Sequence, residues 1–137
     1  MQHEKPSIIN FESHEDSNGV LCVYESGQFI PFDIQRVFTV SAKAGDTRGD
    51  HAHKQCTQLL ICVSGRIRVS CDDGVSVTQY ILDHMGKGIL VPPGIWAQEE
   101  YVDDNAVLMV LCNRGYEATD YIRDYKEFKH FVRGGKL

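Results

Sequence analysis

The chain has 137 residues, a length that suits one domain, residues 1–137, around a single hydrophobic core. Hydrophobic residues make up 42% and charged residues 24%, an ordinary globular composition that excludes a disordered or membrane-embedded chain. A net charge of -5 leaves no basic stripe for a phosphate backbone, so no nucleic-acid partner is expected.

The first stretch, MQHEKPSIINFESHEDSNG, is polar and acidic, with neither a signal-peptide apolar run nor the Arg-rich bias of a transit peptide, so a cytoplasmic protein is expected. Strand-length apolar runs then follow one another between turn signals: VLCVYES, FIPFDIQRVFTVSA, TQLLICVSG, RIRVSCDDG, VSVTQYILDHMGKG, ILVPPG, IWAQEEY and AVLMVLCN. This rhythm of short runs and Gly, Asp-Gly or Pro-Gly turns predicts an antiparallel sandwich or barrel. None of the runs is long enough to span a bilayer. In RIRVSC the period is two, with Ile67, Val69 and Cys71 on one face and Arg66, Arg68 and Ser70 on the other, and CDDG supplies a hairpin turn built by Asp72 and Asp73. The chain ends differently. TDYIRDYKEFKHFV, 119–132, sets Ile122, Tyr125, Phe128 and Val132 at helical spacing behind Thr119 or Asp120, which predicts one amphipathic helix with Tyr121, Tyr125 and Phe128 in packing roles. The five cysteines, Cys22, Cys56, Cys62, Cys71 and Cys112, show no CxxC spacing and read as buried hydrophobes of a reducing compartment.

The informative stretch is RGDHAHKQCTQLLICVSG, 48–65. On an extended strand His51 and His53 point to one side, roughly 7 Å apart at about 3.3 Å per residue. Gln58 and Gly65 complete the spacing H-x-H-x4-Q-x6-G, which resembles the first motif of the cupin superfamily, small jelly-roll barrels that hold a divalent metal. The second cupin motif, G-x5-P-x-G-x2-H, is matched by GKGILVPPGIWA from Gly86 through Pro92 and Gly94, but Ala97 stands at the histidine position. Two of the four ligand positions thus hold a neutral amide and a methyl group, so no metal is expected. A pair of merely structural histidines is the bland reading; against it stand their shared face and the neighbouring Arg48 at the mouth of a barrel, where ligand pockets form. His84 has no partner at ligand spacing, and His3, His14 and His130 carry no signal.

Imidazoles titrate near the operating pH, which suits them to general acid–base chemistry. Two on one face suit proton abstraction alpha to a carbonyl through an enediol, or epimerisation there. Arg48, Lys54 and the Gln58 amide are candidate donors to a developing enediolate. Arg36, Arg48, Arg66 and Arg68 are candidates to grip a pyrophosphate, Arg48 first and Arg66 next. Trp96, the only tryptophan, is a candidate pocket wall or an ordinary core residue.

R-G-x-H-A-H-K followed by Gln58, joined to D-Y-I-R-x-Y near the carboxy terminus, resembles the nucleotide-linked 3,4-ketoisomerases of deoxysugar biosynthesis. The resemblance runs from FIPFDIQRVFTV to TDYIRDYKEF. It implies a metal-free jelly roll, a homodimer without a cofactor, and conversion of dTDP-4-keto-6-deoxyglucose to its 3-keto isomer on the way to 3-amino-3,6-dideoxy sugars. It implies His51 and His53 as the acid–base groups. Where relatives show Tyr-Tyr after RV, this chain has Phe38 and Thr39, so a hydroxyl there is lost or supplied by the shorter Thr39, and the galacto or gluco configuration at C4 stays open. The rivals are a nucleotide-sugar 3,5-epimerase, which would need a histidine–aspartate base and a tyrosine acid not recognisable by spacing, and a non-catalytic sugar-binding cupin.

Overall fold

A computed structural model describes residues 4–134; His3 lies outside them. In chain order the strands are β1 (Ser7–Asn10), β2 (Ser13–Asp16), β3 (Gly19–Cys22), β4 (Arg36–Ala42), β5 (Thr47–His53), β6 (Gln58–Ser64), β7 (Ile67–Asp72), β8 (Val77–Leu82), β9 (Lys87–Val91), β10 (Trp96–Tyr101), β11 (Ala106–Cys112) and β12 (Tyr121–Ile122), before helix α1 (Tyr125–Val132). They form two five-stranded antiparallel sheets, ordered β1-β9-β6-β11-β4 and β12-β5-β10-β7-β8, with β2–β3 as a separate hairpin. This is the antiparallel sandwich or barrel expected from the alternating runs, in the jelly-roll form that the resemblance implies. Proline and turn residues leave 29–35 outside any named strand, so FIPFDIQRVFTVSA contributes only its second half.

Burial explains the strand sequences. Ile67, Val69 and Cys71 of β7 face the core between the sheets, with Leu60, Cys62, Leu108, Val110 and Tyr101. Strand β6 is apolar on both faces because both are covered: Leu59 and Ile61 turn outward to meet Phe11, Ile30 and Leu111 under the 24–34 segment. The β7–β8 hairpin closes as its sequence predicts, with Gly74 at φ +96° and the Asp73 carboxylate accepting from the amides of Val75 and Ser76, both at 2.8 Å.

The carboxy-terminal segment departs from the predicted helix over 119–132. Residues Ala118–Asp120 form one 3-10 turn, Tyr121 and Ile122 pair with His53 and Ala52 of β5, and the α-helix begins only at Tyr125. Its N-cap is Asp124, whose side chain accepts from the Glu127 amide at 3.1 Å. Ile122 fits the helical spacing by coincidence, since a strand residue and Phe128 of the helix bury against the same neighbour, Ala52.

Leu60 is 1% exposed at the centre of the inter-sheet core. Leu60→Ala is expected to cost about 2–5 kcal/mol of unfolding free energy, measured by urea denaturation. A loss below about 1 kcal/mol would contradict this packing.

Candidate active site

His51 and His53 alternate with Ala52 along β5: the rings point into the barrel while Ala52 packs outward under α1. The imidazoles meet edge to face, with centroids 5.1 Å apart and planes at 86°. Tyr121 lies against both, 5.0 Å from His51 and 4.4 Å from His53. Its register opposite His53 puts the phenol on the histidine side, so this residue belongs to the site and not to the helix packing assigned to it by periodicity.

Beneath His53 lies Asp120, itself 7% exposed. His53 Nδ1 donates to Asp120 Oδ2 at 2.9 Å, while the Gln55 and Cys56 amides donate to the same carboxylate at 2.7 and 3.3 Å. A carboxylate that accepts from Nδ1 keeps the proton on that nitrogen and leaves the lone pair on Nε2. Nε2 of His53 and Nδ1 of His51 are buried and have no hydrogen-bond partner among the described residues. The pair therefore keeps two unpartnered ring nitrogens on neighbouring rings, of which His51 lines the pocket and His53 lies behind it. Burial drives the His51 pKa down from 6.5 to about 4, and the neighbouring His53 adds to the shift. Burial also lowers that of His53, against the opposing hydrogen bond and charge of Asp120. Both shifts favour the neutral ring at pH 7.

A pocket of about 210 Å³ opens onto His51 and Tyr121. Phe38, Gln58, Arg48, Arg36, Arg123 and Glu99 are among its walls. Cations collect on the aromatic rings: the Arg123 guanidinium stands 4.4 Å above Tyr121, and that of Arg36 4.5 Å from Phe38 while Nη1 donates to the Tyr121 hydroxyl at 3.4 Å. A larger depression of about 500 Å³ between the β2–β3 hairpin and 83–86 contains none of these residues. Its own acid–base groups, among them Asp83 and His84, are solvent-exposed, so we place the site at the buried histidine pair.

Of the residues singled out by sequence, the pocket unites His51, Arg36, Arg48 and Gln58, with His53 packed behind. Lys54, Thr39, Arg66 and Trp96 are not among its walls. Thr39 sits on the exposed face of β4, opposite Phe38 and Val40. Arg66 makes a two-pronged, exposed salt bridge to Asp103, at 3.0 and 2.8 Å. Trp96 packs on Tyr125 and Phe128 of α1, at 5.3 and 5.6 Å. Sequence spacing missed Asp120, Glu99 and Arg123. A histidine–aspartate pair not found by spacing does form, because the 3-10 turn ending at Asp120 comes back to His53 from 67 residues away; Tyr121, next in the chain, pairs beside His53 on β12 and does not face it across the barrel.

The residues do not fit the metal centre of the cupin frame. The Gln58 amide nitrogen is turned to Cys112 Sγ at 3.5 Å, and Ala97 offers no donor atom. Ligand atoms of His53, Cys56 and Asp120 lie within 4.8 Å of one another, but the Asp120 oxygens are already taken by N–H donors.

The family described as "FdtA: WxcM-like, C-terminal" matches residues 4–133. A TDP-4-oxo-6-deoxy-alpha-D-glucose-3,4-oxoisomerase of Aneurinibacillus thermoaerophilus is 39% identical over 126 residues, 91% of either chain. Among solved structures, a 3,4-ketoisomerase from Helicobacter canadensis superposes with a TM-score of 0.90 at 32% identity, over 96% of this chain and 99% of that one. A histidine-to-asparagine mutant of the ketoisomerase QdtA from Thermoanaerobacterium thermosaccharolyticum, in complex with TDP-4-keto-6-deoxyglucose, superposes at 0.92 and 28% identity over 99% of both chains. With a matching model over nearly its whole length and a neutral imidazole pair in the barrel, the chain belongs to the FdtA family, whose relatives at this likeness are sugar-nucleotide 3,4-ketoisomerases.

Proposed function

We propose that this chain is a single-domain, cytoplasmic sugar-nucleotide 3,4-ketoisomerase that converts dTDP-4-keto-6-deoxyglucose to the 3-keto isomer, with His51 and His53 as its acid–base groups. The observation that carries the reading is the pair of adjoining buried rings, each with an unpartnered nitrogen, one of them fixed in its tautomer by Asp120. A neutral imidazole takes the proton from C3, the electrons move through an enediol, and a proton is returned to C4. No metal or cofactor is assigned a part. Asp120 acts as a positioning residue. Tyr121 holds both rings, and Arg36, Arg48 and Arg123 at the pocket supply the positive charge that a diphosphate needs. Gln58 is assigned a hydrogen bond to the sugar. Lys54, Thr39, Arg66 and Trp96 receive no contact with it.

The free thiols of all five cysteines suit a reducing compartment, and no helix among the described residues is long and apolar enough to cross a membrane. A homodimer is part of the proposal, formed through the exposed edge strand β1, which among the described residues pairs with β9 alone.

Incubation with dTDP-4-keto-6-deoxyglucose in D2O, followed by NMR, tests the activity. Migration of the keto group is expected; exchange at C3 and C5 without migration would mark an epimerase, and saturable binding without exchange a non-catalytic module. His51→Asn is expected to abolish migration with dTDP affinity nearly intact. Asp120→Asn should lower kcat by about 10²–10⁴, because an amide no longer enforces the Nδ1–H tautomer; unchanged kcat in a folded variant would remove Asp120 from the account.

The depressed His51 pKa also has a stability consequence. Between its folded value of about 4 and its ordinary 6.5, the unfolded chain binds more protons than the folded one. Stability from this group is therefore full above pH 6.5 and lost as pH falls toward 4. The Tm difference between the wild type and His51→Asn should rise with pH across that window and be flat above it. A difference that is constant from pH 4 to 7, a range bracketing those values, would show that His51 is not held neutral.

A further inference from the structure

Glu99 is unexplained by the roles assigned so far. It stands on β10 between Arg48 of β5 and Val69 of β7, is 8% exposed, and lines the pocket that His51 enters. Its Oε2 has no hydrogen-bond partner among the described residues. Gly49 makes room for it: at φ +89° this glycine of the R-G-x-H-A-H run brings bare backbone so close that an added Cβ would lie 2.1 Å from Oε2. A buried carboxyl with an idle oxygen weakens a fold, so a binding partner is the physical reason to retain it.

We propose that Glu99 is a further catalytic residue, an uncharged carboxylic acid that donates its O–H to the sugar oxygen on which negative charge develops. The inference rests on the isomerase reading above. As the C3–H bond breaks, the proton goes to an imidazole nitrogen and its electron pair forms the C3–C4 double bond. The carbonyl π pair moves to O4, which takes the Glu99 proton. The carboxylate so formed then accepts the O3 proton as the 3-keto group appears, and the imidazolium returns its proton to C4. Atoms and charge balance, and Glu99 ends as it began.

The surroundings favour the uncharged form. Burial, with Asp50 of β5 adding to it and Arg48 opposing, pushes the Glu99 pKa up to about 8. The other titratable groups facing it are Cys71 of β7 and Tyr101 of β10, both neutral at pH 7, with Arg36, His51 and Arg123 along the pocket.

Two measurements test this. In the wild type, carbon-13 NMR of labelled glutamate, with the Glu99→Gln spectrum identifying the resonance, should show Glu99 titrating near pH 8. Titration in the ordinary glutamate range overturns the proposal whether or not the protein turns over. In kinetics, wild-type kcat/KM should fall by about tenfold per pH unit above that value. Glu99→Gln, which can hydrogen-bond to O4 but can neither give up nor take a proton, should lose this alkaline limb and, like Glu99→Leu, about 10²–10³ in kcat, with dTDP affinity retained in both. An alkaline limb that persists in Glu99→Gln, or full kcat in Glu99→Leu, overturns the role. Failure of the isomerase reading looks different: wild-type protein that never moves the keto group, with Glu99 still titrating near pH 8, contradicts that activity and with it the donor role, while upholding the neutral carboxyl.

Discussion

The buried hydrogen bond between Asp120 and His53 is the contact on which the site depends. A carboxylate in a barrel interior is tolerated only when its oxygens are satisfied, and Asp120 accepts from a ring nitrogen and two backbone amides while its carbonyl accepts from Lys54 N. That set of bonds fastens the carboxy-terminal segment to β5. Once it is fastened, Tyr121 has no choice but to lie on the imidazoles, and Arg123, two residues on, comes to rest over Tyr121. One polar contact thereby sets a tautomer, an aromatic wall and a cation.

The pocket separates chemistry by environment. Arg36 and Arg123 sit on the aromatic rings of Phe38 and Tyr121, where their charge suits an anionic group. The histidines lie deeper, where burial removes their charge and leaves nitrogens able to take and return a proton. Glu99 is subject to the same burial with the opposite sign of charge, and it too is driven neutral. A single desolvated interior thus pushes both kinds of group toward their uncharged forms.

Much of the fold was legible because strand burial writes a period of two, as in Ile67, Val69 and Cys71, and because hairpins need turn residues such as Asp73 and Gly74. The histidine pair was legible for the same reason: two residues apart on a strand means one face. Residues that join the site from elsewhere left weaker marks. Glu99 sits between Gln98 and Glu100 in IWAQEEY, where the one local sign that it points inward is its period of two with Ala97 and Tyr101. Tyr121 and Asp120 were hidden by a two-residue strand too short to show a period, followed at once by a true helix whose spacing swallowed it. The Asp124-x-x-Glu127 pattern was the available sign that the helix starts later.

The barrel keeps the outline of a metal centre while Gln58 and Ala97 occupy ligand positions, so the account stands on the protonation of two rings. Nitrogen-15 NMR of the imidazoles at pH 7 reads it directly. His51 and His53 should both appear as neutral rings, with the His53 proton on Nδ1 and unprotonated Nε2. An imidazolium at either position, or a His53 proton on Nε2, would contradict the mechanism at its root.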